Sequence, residues 1–251
     1  MKRTLVFAYG LLSYGLFFAS FLYAIGFVGN IAVPKSIDSA PTAPLALALL
    51  IDAALLALFA VQHSGMARPA FKRWLTRRIP AAAERSTYVL ASTACLALLM
   101  ACWAPLGGVL WNVDGVAATT LTGLYLASWG LLLYATFLID HFDLFGLRQV
   151  WTELRGGQPE GVKFVTPALY RIIRHPICVG WLGIMWFTPA MTISHLVLAL
   201  GSTAYILIGI HFEERDLSAA HPEYAQYKNK VPALIPSFTR RLGRESGARS
   251  A

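Results

Sequence analysis

Long runs without charged residues alternate with short basic segments along this chain. No Asp, Glu, Lys or Arg occurs from residue 4 to residue 34. A helix rises about 1.5 Å per residue, so roughly 20 apolar residues cover the ~30 Å hydrocarbon core of a bilayer. Three later runs are also long enough, although Asp52 interrupts the first of them. The four predicted spans are residues 5–28, 45–62, 87–105 and 116–139.

The last hydrophobic stretch is too long for one span. Residues 175–212 contain no Asp, Glu, Lys or Arg, and as a straight helix these 38 residues would measure about 57 Å. Pro189 lies in the middle of the stretch, and an interior proline breaks a helix. The pattern therefore predicts a helical hairpin. Its first arm, residues 176–187, is short for a full crossing.

The basic residues predict the orientation in the membrane. Of the 21 Lys and Arg residues, 20 fall on one side of the predicted spans, and Lys35 is the exception. Basic loops stay in the cytoplasm, so we expect both termini there, in a bacterial inner membrane. The predicted fold is an all-α polytopic bundle of five to six transmembrane helices with a C-terminal cytoplasmic helix. Residues 1–239 form one membrane-embedded domain, and residues 240–251 form a basic tail expected to be mobile.

Composition supports this class and excludes others. The chain is 57% hydrophobic and 14% charged, against roughly 25% charged residues in a soluble domain. The net charge of +8 therefore indicates an anionic bilayer surface as partner rather than nucleic acid. The three cysteines form no CxxC pair, and the six histidines show no metal-ligand spacing, so no metal site is predicted. Neither glycine-rich nucleotide-binding motif occurs.

Two polar clusters mark the C-terminal half as the place for chemistry. Pro176 favours the first turn of a helix, so Arg174 and His175 should lie at a helix N-terminus, which attracts anions. Glu213 and Glu214 directly follow the second arm of the hairpin, where they could bind a cationic group or pair with the arginines. The alternatives are a basic belt at the membrane surface and an exposed charge run.

These clusters carry a family resemblance. The blocks Arg174-His175-Pro176, Gly180-Trp181 and Glu213-Glu214, followed by Leu217, Tyr224, Tyr227, Val231 and Pro236, resemble the C-terminal signature of isoprenylcysteine carboxyl methyltransferases and bacterial phospholipid methyltransferases. This likeness covers about residues 166–236. Segments at residues 62–69, 84–88 and 141–150 are similar to a narrower branch, the bacterial methanethiol S-methyltransferases. Cys178 stands where the broad family usually has tyrosine.

The resemblance implies S-adenosylmethionine as methyl donor and methanethiol as acceptor, with dimethyl sulfide as product. A basic helix start suits the donor's carboxylate or adenine, two carboxylates suit its ammonium or ribose hydroxyls, and aromatic faces suit its sulfonium. The donor would occupy a cytoplasm-facing cavity under the C-terminal helix. The predicted cofactor residues are Arg174, His175, Pro176, Gly180, Trp181, Tyr205, Glu213, Glu214, Tyr224 and Tyr227.

Methylation of a thiol requires the thiolate, so the site needs a base or a cation that favours thiolate. His141, Asp143 and Arg148 follow the fourth span, and His63 ends the second. These four are the predicted catalytic residues. The alternative role of the His141 group is to cap a helix end at the membrane interface. The alternative role of His63 is a structural hydrogen bond at that interface. Direct pairing of His141 with Asp143 needs the helix to end there, because their side chains point in different directions on a helix.

Three other functions fit the hydrophobic spans. One is methylation of a lipidic acceptor, either an isoprenylcysteine or a phospholipid. The second is an NADPH-dependent membrane reductase, which would need basic residues for the phosphate. The third is a non-enzymatic transporter of small solutes. The Arg-His-Pro and Glu-Glu blocks favour transfer chemistry over the last two.

Overall fold

The computed structural model describes residues 2–157 and 165–236, and the predicted tail at 240–251 lies outside these ranges. The fold is nearly all α-helical, as predicted. The α-helices are α1 Arg3–Gly29, α2 Leu45–Ala67, α3 Pro69–Leu75, α4 Glu84–Cys102, α5 Gly115–Leu138, α6 His141–Leu144, α7 Leu147–Leu154, α8 Pro176–Trp186, α9 Ile193–Ala220 and α10 Tyr224–Lys230. Short 3-10 turns cover Ala81–Ala83 and Ala168–Arg171.

Five helices are long and apolar enough to cross a membrane: α1, α2, α4 with the preceding 3-10 turn, α5 and α9. Their bounds match the four predicted single spans to within a few residues, and α9 contains the second arm of the hairpin. The prediction of an integral membrane bundle is therefore confirmed. Their hydrophobic side chains are exposed in large number, as lipid-facing positions require.

The predicted hairpin is also confirmed. Helix α8 has 11 residues and spans about 16 Å, so it is too short to cross the hydrocarbon. It lies against α5 at two glycines. A Cβ on Gly180 would lie 2.9 Å from Leu132 Cβ, and one on Gly183 would lie 2.2 Å from Ser128 Oγ. Only glycine permits this close approach of the two helices.

One expectation about the hairpin is wrong. The acidic block does not follow the second arm, because α9 continues to Ala220 and carries Glu213 and Glu214 in its last turns. Glu, Arg, Leu and Ala are all favourable in helices, so the end of the apolar run is no reason for the helix to stop.

The structure also contains a small antiparallel sheet that was not predicted. It pairs β1, Val109–Asn112, with β2, Ala190–Thr192.

The helices alternate in direction, so the bundle has two distinct ends. The sheet end contains β1 and β2, and Lys35 reaches the Ala101 carbonyl there, 2.5 Å away. The basic end contains the starts of α4 and α8 and the ends of α2, α5 and α9. Arg68 and Asp216 form an ion pair of 2.9 Å at this end, which joins α9 to the segment after α2.

An aromatic core fills the space between α1, α5 and α8. The Trp129 ring meets Phe21 edge-on at 5.0 Å and Trp181 at 5.4 Å between ring centroids. Trp103, Phe27 and Ile184 are almost fully buried in the same core. This packing positions the short helix α8, and with it the residues that precede α8, at the basic end.

Candidate functional site

Glu214 is the centre of a buried ionic cluster at the basic end. Arg174 Nε and Nη2 each lie 2.7 Å from Glu214 Oε1. His175 Nε2 lies 3.0 Å from the same oxygen, and Lys228 Nζ lies 2.9 Å from Oε2. Only 5% of Glu214 is exposed, so the carboxylate is satisfied by three basic side chains rather than by water. The cluster joins the start of α8, the end of α9 and helix α10.

The segment after α10 closes over the start of α8. The backbone N–H groups of Arg174 and His175 donate to the carbonyls of Pro232 and Ala233, at 2.9 and 3.1 Å. Arg174 Nη1 also donates to the carbonyls of Lys228 and Val231. The prediction that Pro176 begins the helix is confirmed. The anion beside Arg174 and His175 in this structure is the protein's own Glu214.

Three tyrosines surround this junction. Tyr227 donates its hydroxyl to the Tyr170 carbonyl, 2.5 Å away, and its ring lies 5.7 Å from that of Tyr224. Tyr224 is 2% exposed. Burial raises the pKa of Tyr227 to about 12, and it also raises the pKa of Tyr224 and of Tyr170. All three phenols therefore stay protonated at neutral pH and act as hydrogen-bonding, aromatic surfaces.

Glu213 differs from its neighbour because 56% of its side chain is exposed. Its Oε2 lies 3.6 Å from His175 Nδ1, which is longer than a hydrogen bond. Protein nevertheless surrounds it on several sides, which is the environment of a residue in the wall of a cleft. Side chains from the segment after α2, the segment before α8 and three helices lie close enough to interact with it electrostatically: Arg68, Tyr88, Tyr170, Cys178 and Tyr205.

His63 belongs to a second polar cluster at the same end. Its Nε2 lies 2.9 Å from the Tyr88 hydroxyl, and its Nδ1 lies 3.2 Å from Ser92 Oγ. The imidazole stacks on Phe59 at 5.2 Å with an interplanar angle of 17°. The Tyr205 ring lies edge-on to it at 6.3 Å. This cluster therefore joins α2, α4 and α9, and through Tyr88 and Tyr205 it borders Glu213.

His141 lies in a closed site between α1 and α5. It is 2% exposed and stacks on Phe137 at 4.3 Å. Thr136 Oγ1 donates its hydrogen to the Leu133 carbonyl, so His141 Nδ1, 2.8 Å from Oγ1, must donate to Thr136. His141 Nε2 then accepts from the Tyr14 hydroxyl at 2.9 Å. Burial lowers the pKa of His141, which keeps the imidazole neutral.

The helix does end beside His141, but the expected His–carboxylate pairing is not formed among the described residues. Asp140, at φ 78°, caps α6 by accepting from the Asp143 N–H at 3.1 Å, and it forms an ion pair with Arg148. Asp143 Oδ1 accepts from Gln149 at 3.2 Å. Burial, followed by the charge of Asp140, raises the pKa of Asp143. The catalytic role of this group stays a prediction.

Nine of the ten predicted cofactor residues fall into two groups, and the tenth, Pro176, begins α8. The structure brings the following together at the basic end: Arg174, His175, Tyr205, Glu213, Glu214, Tyr224 and Tyr227. Gly180 and Trp181 instead contact α5, at Leu132 and Trp129. Their part in cofactor binding stays a prediction, and these contacts explain both residues through helix packing.

Sequence reasoning did not select Tyr88, Tyr170, Arg85 or Lys228. Tyr88 and Arg85 lie in a segment that carried the resemblance, and Tyr170 immediately precedes Arg171, so their position in the chain offered a signal. Lys228 lies on α10 one residue beyond Tyr227, and only the fold of that helix onto α9 reveals its contact with Glu214.

A separate cavity of about 170 Å³ lies at the sheet end. Tyr125, Pro189 and His195 are among the residues that line it. His195 Nε2–H donates to the Met185 carbonyl at 2.8 Å, which positions the hairpin turn.

Within residues 2–157 and 165–236, no group of three or more His, Cys, Asp or Glu side chains has the geometry of a metal site.

The fold and the site together define a polytopic α-helical membrane protein with a buried ionic cluster and an adjoining open carboxylate at one end. The chain belongs to the NnrU protein family, whose model matches residues 51–237. It is 49% identical to methanethiol S-methyltransferase 2 of Bradyrhizobium diazoefficiens over 95% of this chain and 93% of the relative.

Other relatives extend this comparison. A methanethiol S-methyltransferase of Mycobacterium tuberculosis is 46% identical over 94% of this chain and 98% of its own. Nurim of Rattus norvegicus is 35% identical over 66% of each chain. No solved structure matches this protein.

Proposed function

We propose that this protein transfers the methyl group of S-adenosylmethionine to methanethiol. The thiol sulfur forms a bond to the methyl carbon, the bond from that carbon to the sulfonium sulfur breaks, and the thiol proton passes to water. The products are dimethyl sulfide and S-adenosylhomocysteine. The observation that carries the proposal is the open Glu213 carboxylate among tyrosines. It occurs in a chain 49% identical to a relative named for methanethiol methylation.

The residues at the basic end suit the donor. Glu213 is the carboxylate available for its ammonium or ribose hydroxyls, since Glu214 is already held by three basic side chains. The neutral faces of Tyr170 and Tyr205 suit the sulfonium and adenine. The ring of Tyr224 is buried and would support the wall of the site. Arg174 and His175 would act mainly by holding Glu214 and so shaping the wall of the site.

The donor's sulfonium supplies the reactive methyl group, and the protein supplies alignment and control of the thiol proton. The residues proposed to accept the thiol proton or to stabilise the thiolate are His63, His141, Asp143 and Arg148. His63 is the one that borders Glu213 through Tyr88. A small, apolar acceptor such as methanethiol can reach this region from the bilayer as well as from water.

We infer an inner-membrane location with the basic end in the cytoplasm. Lys35, the exception to the charge bias, lies at the sheet end, while Arg68, Arg85 and Arg174 lie at the opposite end. This distribution is the one that the positive-inside rule favours. Water-soluble S-adenosylmethionine would then reach the site directly from the cytoplasm.

The proposal is tested with purified protein in lipid nanodiscs, methyl-labelled S-adenosylmethionine and methanethiol. We expect the label in volatile dimethyl sulfide. Glu213→Gln should lower donor affinity at least tenfold, whereas Glu223→Gln, an exposed carboxylate near α10, should leave it unchanged. Label in the extracted lipid instead would favour a lipidic acceptor. A wild-type protein that neither binds the donor nor forms a volatile product would refute the proposal.

A further inference from the structure

The cluster around Tyr88 has the components of a binding site for a small thiol. The Tyr88 hydroxyl lies 2.9 Å from His63 Nε2, and His63 Nδ1 lies 3.2 Å from Ser92 Oγ. Phe59 and Tyr205 contribute aromatic walls against the imidazole. A hydroxyl in an aromatic surround suits a ligand with one polar atom and a small apolar group.

The cluster is adjacent to the site proposed for the donor. Tyr88 and Tyr205 both lie close enough to Glu213 for electrostatic interaction, and Tyr205 also interacts electrostatically with Cys178 at the start of α8. The Ser64 and Tyr205 hydroxyls are 3.2 Å apart, so α2 is joined to α9 at this level. His63, Tyr88 and Tyr205 are only half-buried, as residues that line an opening are.

A cation completes the cluster. The Arg85 guanidinium lies 5.3 Å from the centroid of the Tyr88 ring. Its positive charge also repels an imidazolium at His63, so a proton taken up by the imidazole is released quickly. Arg85 Nε donates to the Leu144 carbonyl at 2.7 Å, which holds the side chain in place. A fixed positive charge beside a thiol stabilises the thiolate relative to the neutral form.

We propose that Tyr88 binds the sulfur of the acceptor thiol, with His63 receiving its proton through the Tyr88 hydroxyl and Arg85 stabilising the thiolate. This inference rests on the proposed function, since it names the acceptor site of that reaction. It assigns functional roles to Tyr88 and Arg85. The ligand class is a small alkyl thiol.

The proton transfer balances without a further reactant. The thiol S–H donates to the Tyr88 oxygen while the Tyr88 O–H proton moves to His63 Nε2, which leaves a thiolate and an imidazolium. The thiolate then forms the new carbon–sulfur bond as the sulfonium loses its methyl group. The imidazolium afterwards releases its proton to water. In the net reaction, one thiol and one sulfonium are converted into two thioethers and one proton.

Other titratable and charged groups also influence this site. Arg85 on α4 faces His63 and Tyr88, and Tyr205 and Glu213 on α9 face Tyr88. Other charged and titratable groups lie at the edge of the cluster. Lys72 and Asp143 interact electrostatically with Arg85. Arg68 and Cys178 interact electrostatically with Tyr205. A change in pH dependence is therefore assigned to Tyr88 only through a comparison of thiols, in which these groups remain the same.

The test compares ethanethiol with 2,2,2-trifluoroethanethiol, whose fluorines make a thiol of similar size more acidic. The full chain in nanodiscs is assayed for methyl transfer against pH. Tyr88→Phe should lower kcat/KM for ethanethiol about 100-fold, the lower bound for loss of acid–base catalysis. The loss for the acidic thiol should be less than tenfold, and activity on ethanethiol should recover towards higher pH. Arg85→Gln should act in the same direction, and Arg85→Lys should restore part of the activity.

Donor binding separates this inference from the proposed function. Tyr88→Phe and Arg85→Gln should bind S-adenosylmethionine within twofold of wild type, and Tyr134→Phe, on the exposed face of α5, should match wild type throughout. Equal losses for both thiols would assign Tyr88 a structural role and overturn the inference, as would loss of donor binding. If Tyr88→Phe fails to fold, the two Arg85 variants decide by the same comparison. Failure of the wild type to bind the donor would instead count against the proposed function.

Discussion

Arg174 and Glu214 form a double contact across 40 positions of sequence, with Nε and Nη2 of the guanidinium each 2.7 Å from one carboxylate oxygen. The side chains are 10% and 6% exposed, so the pair is desolvated. A buried pair of this kind contributes little net free energy, but removing one partner leaves an uncompensated charge. Disruption of the pair would therefore be costly at the contact between the start of α8 and the end of α9. The adjoining Glu213 lies outside the pair and is open to solvent.

Glu214→Ala should destabilise the protein by about 3–5 kcal/mol, because Arg174 and His175 would remain buried without an anion. The measurement is thermal unfolding in detergent micelles. Glu223→Ala, which removes an exposed carboxylate, is the control and should stay near wild type. Equal stability of the two variants would contradict the ionic role assigned to Glu214.

His141 should make stability fall on acidification. Burial lowers its pKa in the folded protein below the ordinary value of about 6.5, so the unfolded chain binds the proton more tightly. The stabilising contribution is complete above about pH 6.5 and is lost as pH falls below that value. In His141→Phe, which keeps an aromatic ring between Phe137 and Tyr14, the loss of stability between pH 7 and pH 5 should be smaller. The measurement is the free energy of unfolding by denaturant at several pH values. If the variant loses as much stability as wild type between pH 7 and pH 5, groups other than His141 cause the loss.

Gly180→Ala should separate α8 from α5. The new Cβ would lie 2.9 Å from Leu132 Cβ and 3.0 Å from its backbone nitrogen, and such overpacking costs about 1–3 kcal/mol. Gly123→Ala on α5 is the matched control, because a Cβ there meets no atom within 4 Å. We expect a lower unfolding temperature and reduced methyl transfer for the first variant only. Wild-type behaviour of Gly180→Ala would mean that the two helices lie farther apart.

The orientation is testable by cysteine labelling in intact cells. In a variant whose three native cysteines are alanine, Ala40→Cys marks the sheet end and Thr76→Cys marks the basic end. A membrane-impermeant maleimide should label position 40 in intact cells, and position 76 only after permeabilisation. The reverse pattern would place the basic end outside and exclude direct access of cytosolic donor.

The spans and the hairpin could be predicted from the sequence because the bilayer imposes a local rule. A helix that crosses it must contain about 20 mostly apolar residues, so α1, α2, α4, α5 and α9 are visible in the sequence as long runs with few or no charges. Pro189 marks the hairpin turn for an equally local reason, since its ring breaks a helix. The basic segments predict orientation by counting alone.

Only the tertiary structure decided which polar groups meet. The sequence offered two carboxylates at 213 and 214 as equals, but the packing of α8 and α10 against α9 surrounds Glu214 with three basic side chains and leaves Glu213 open. His141 and His63 were likewise comparable candidates until α1 and α5 enclosed the first and Tyr88 joined the second to Glu213. Such contacts depend on helix distances and rotations that arise from side-chain packing along whole interfaces, and no local pattern of residues encodes them.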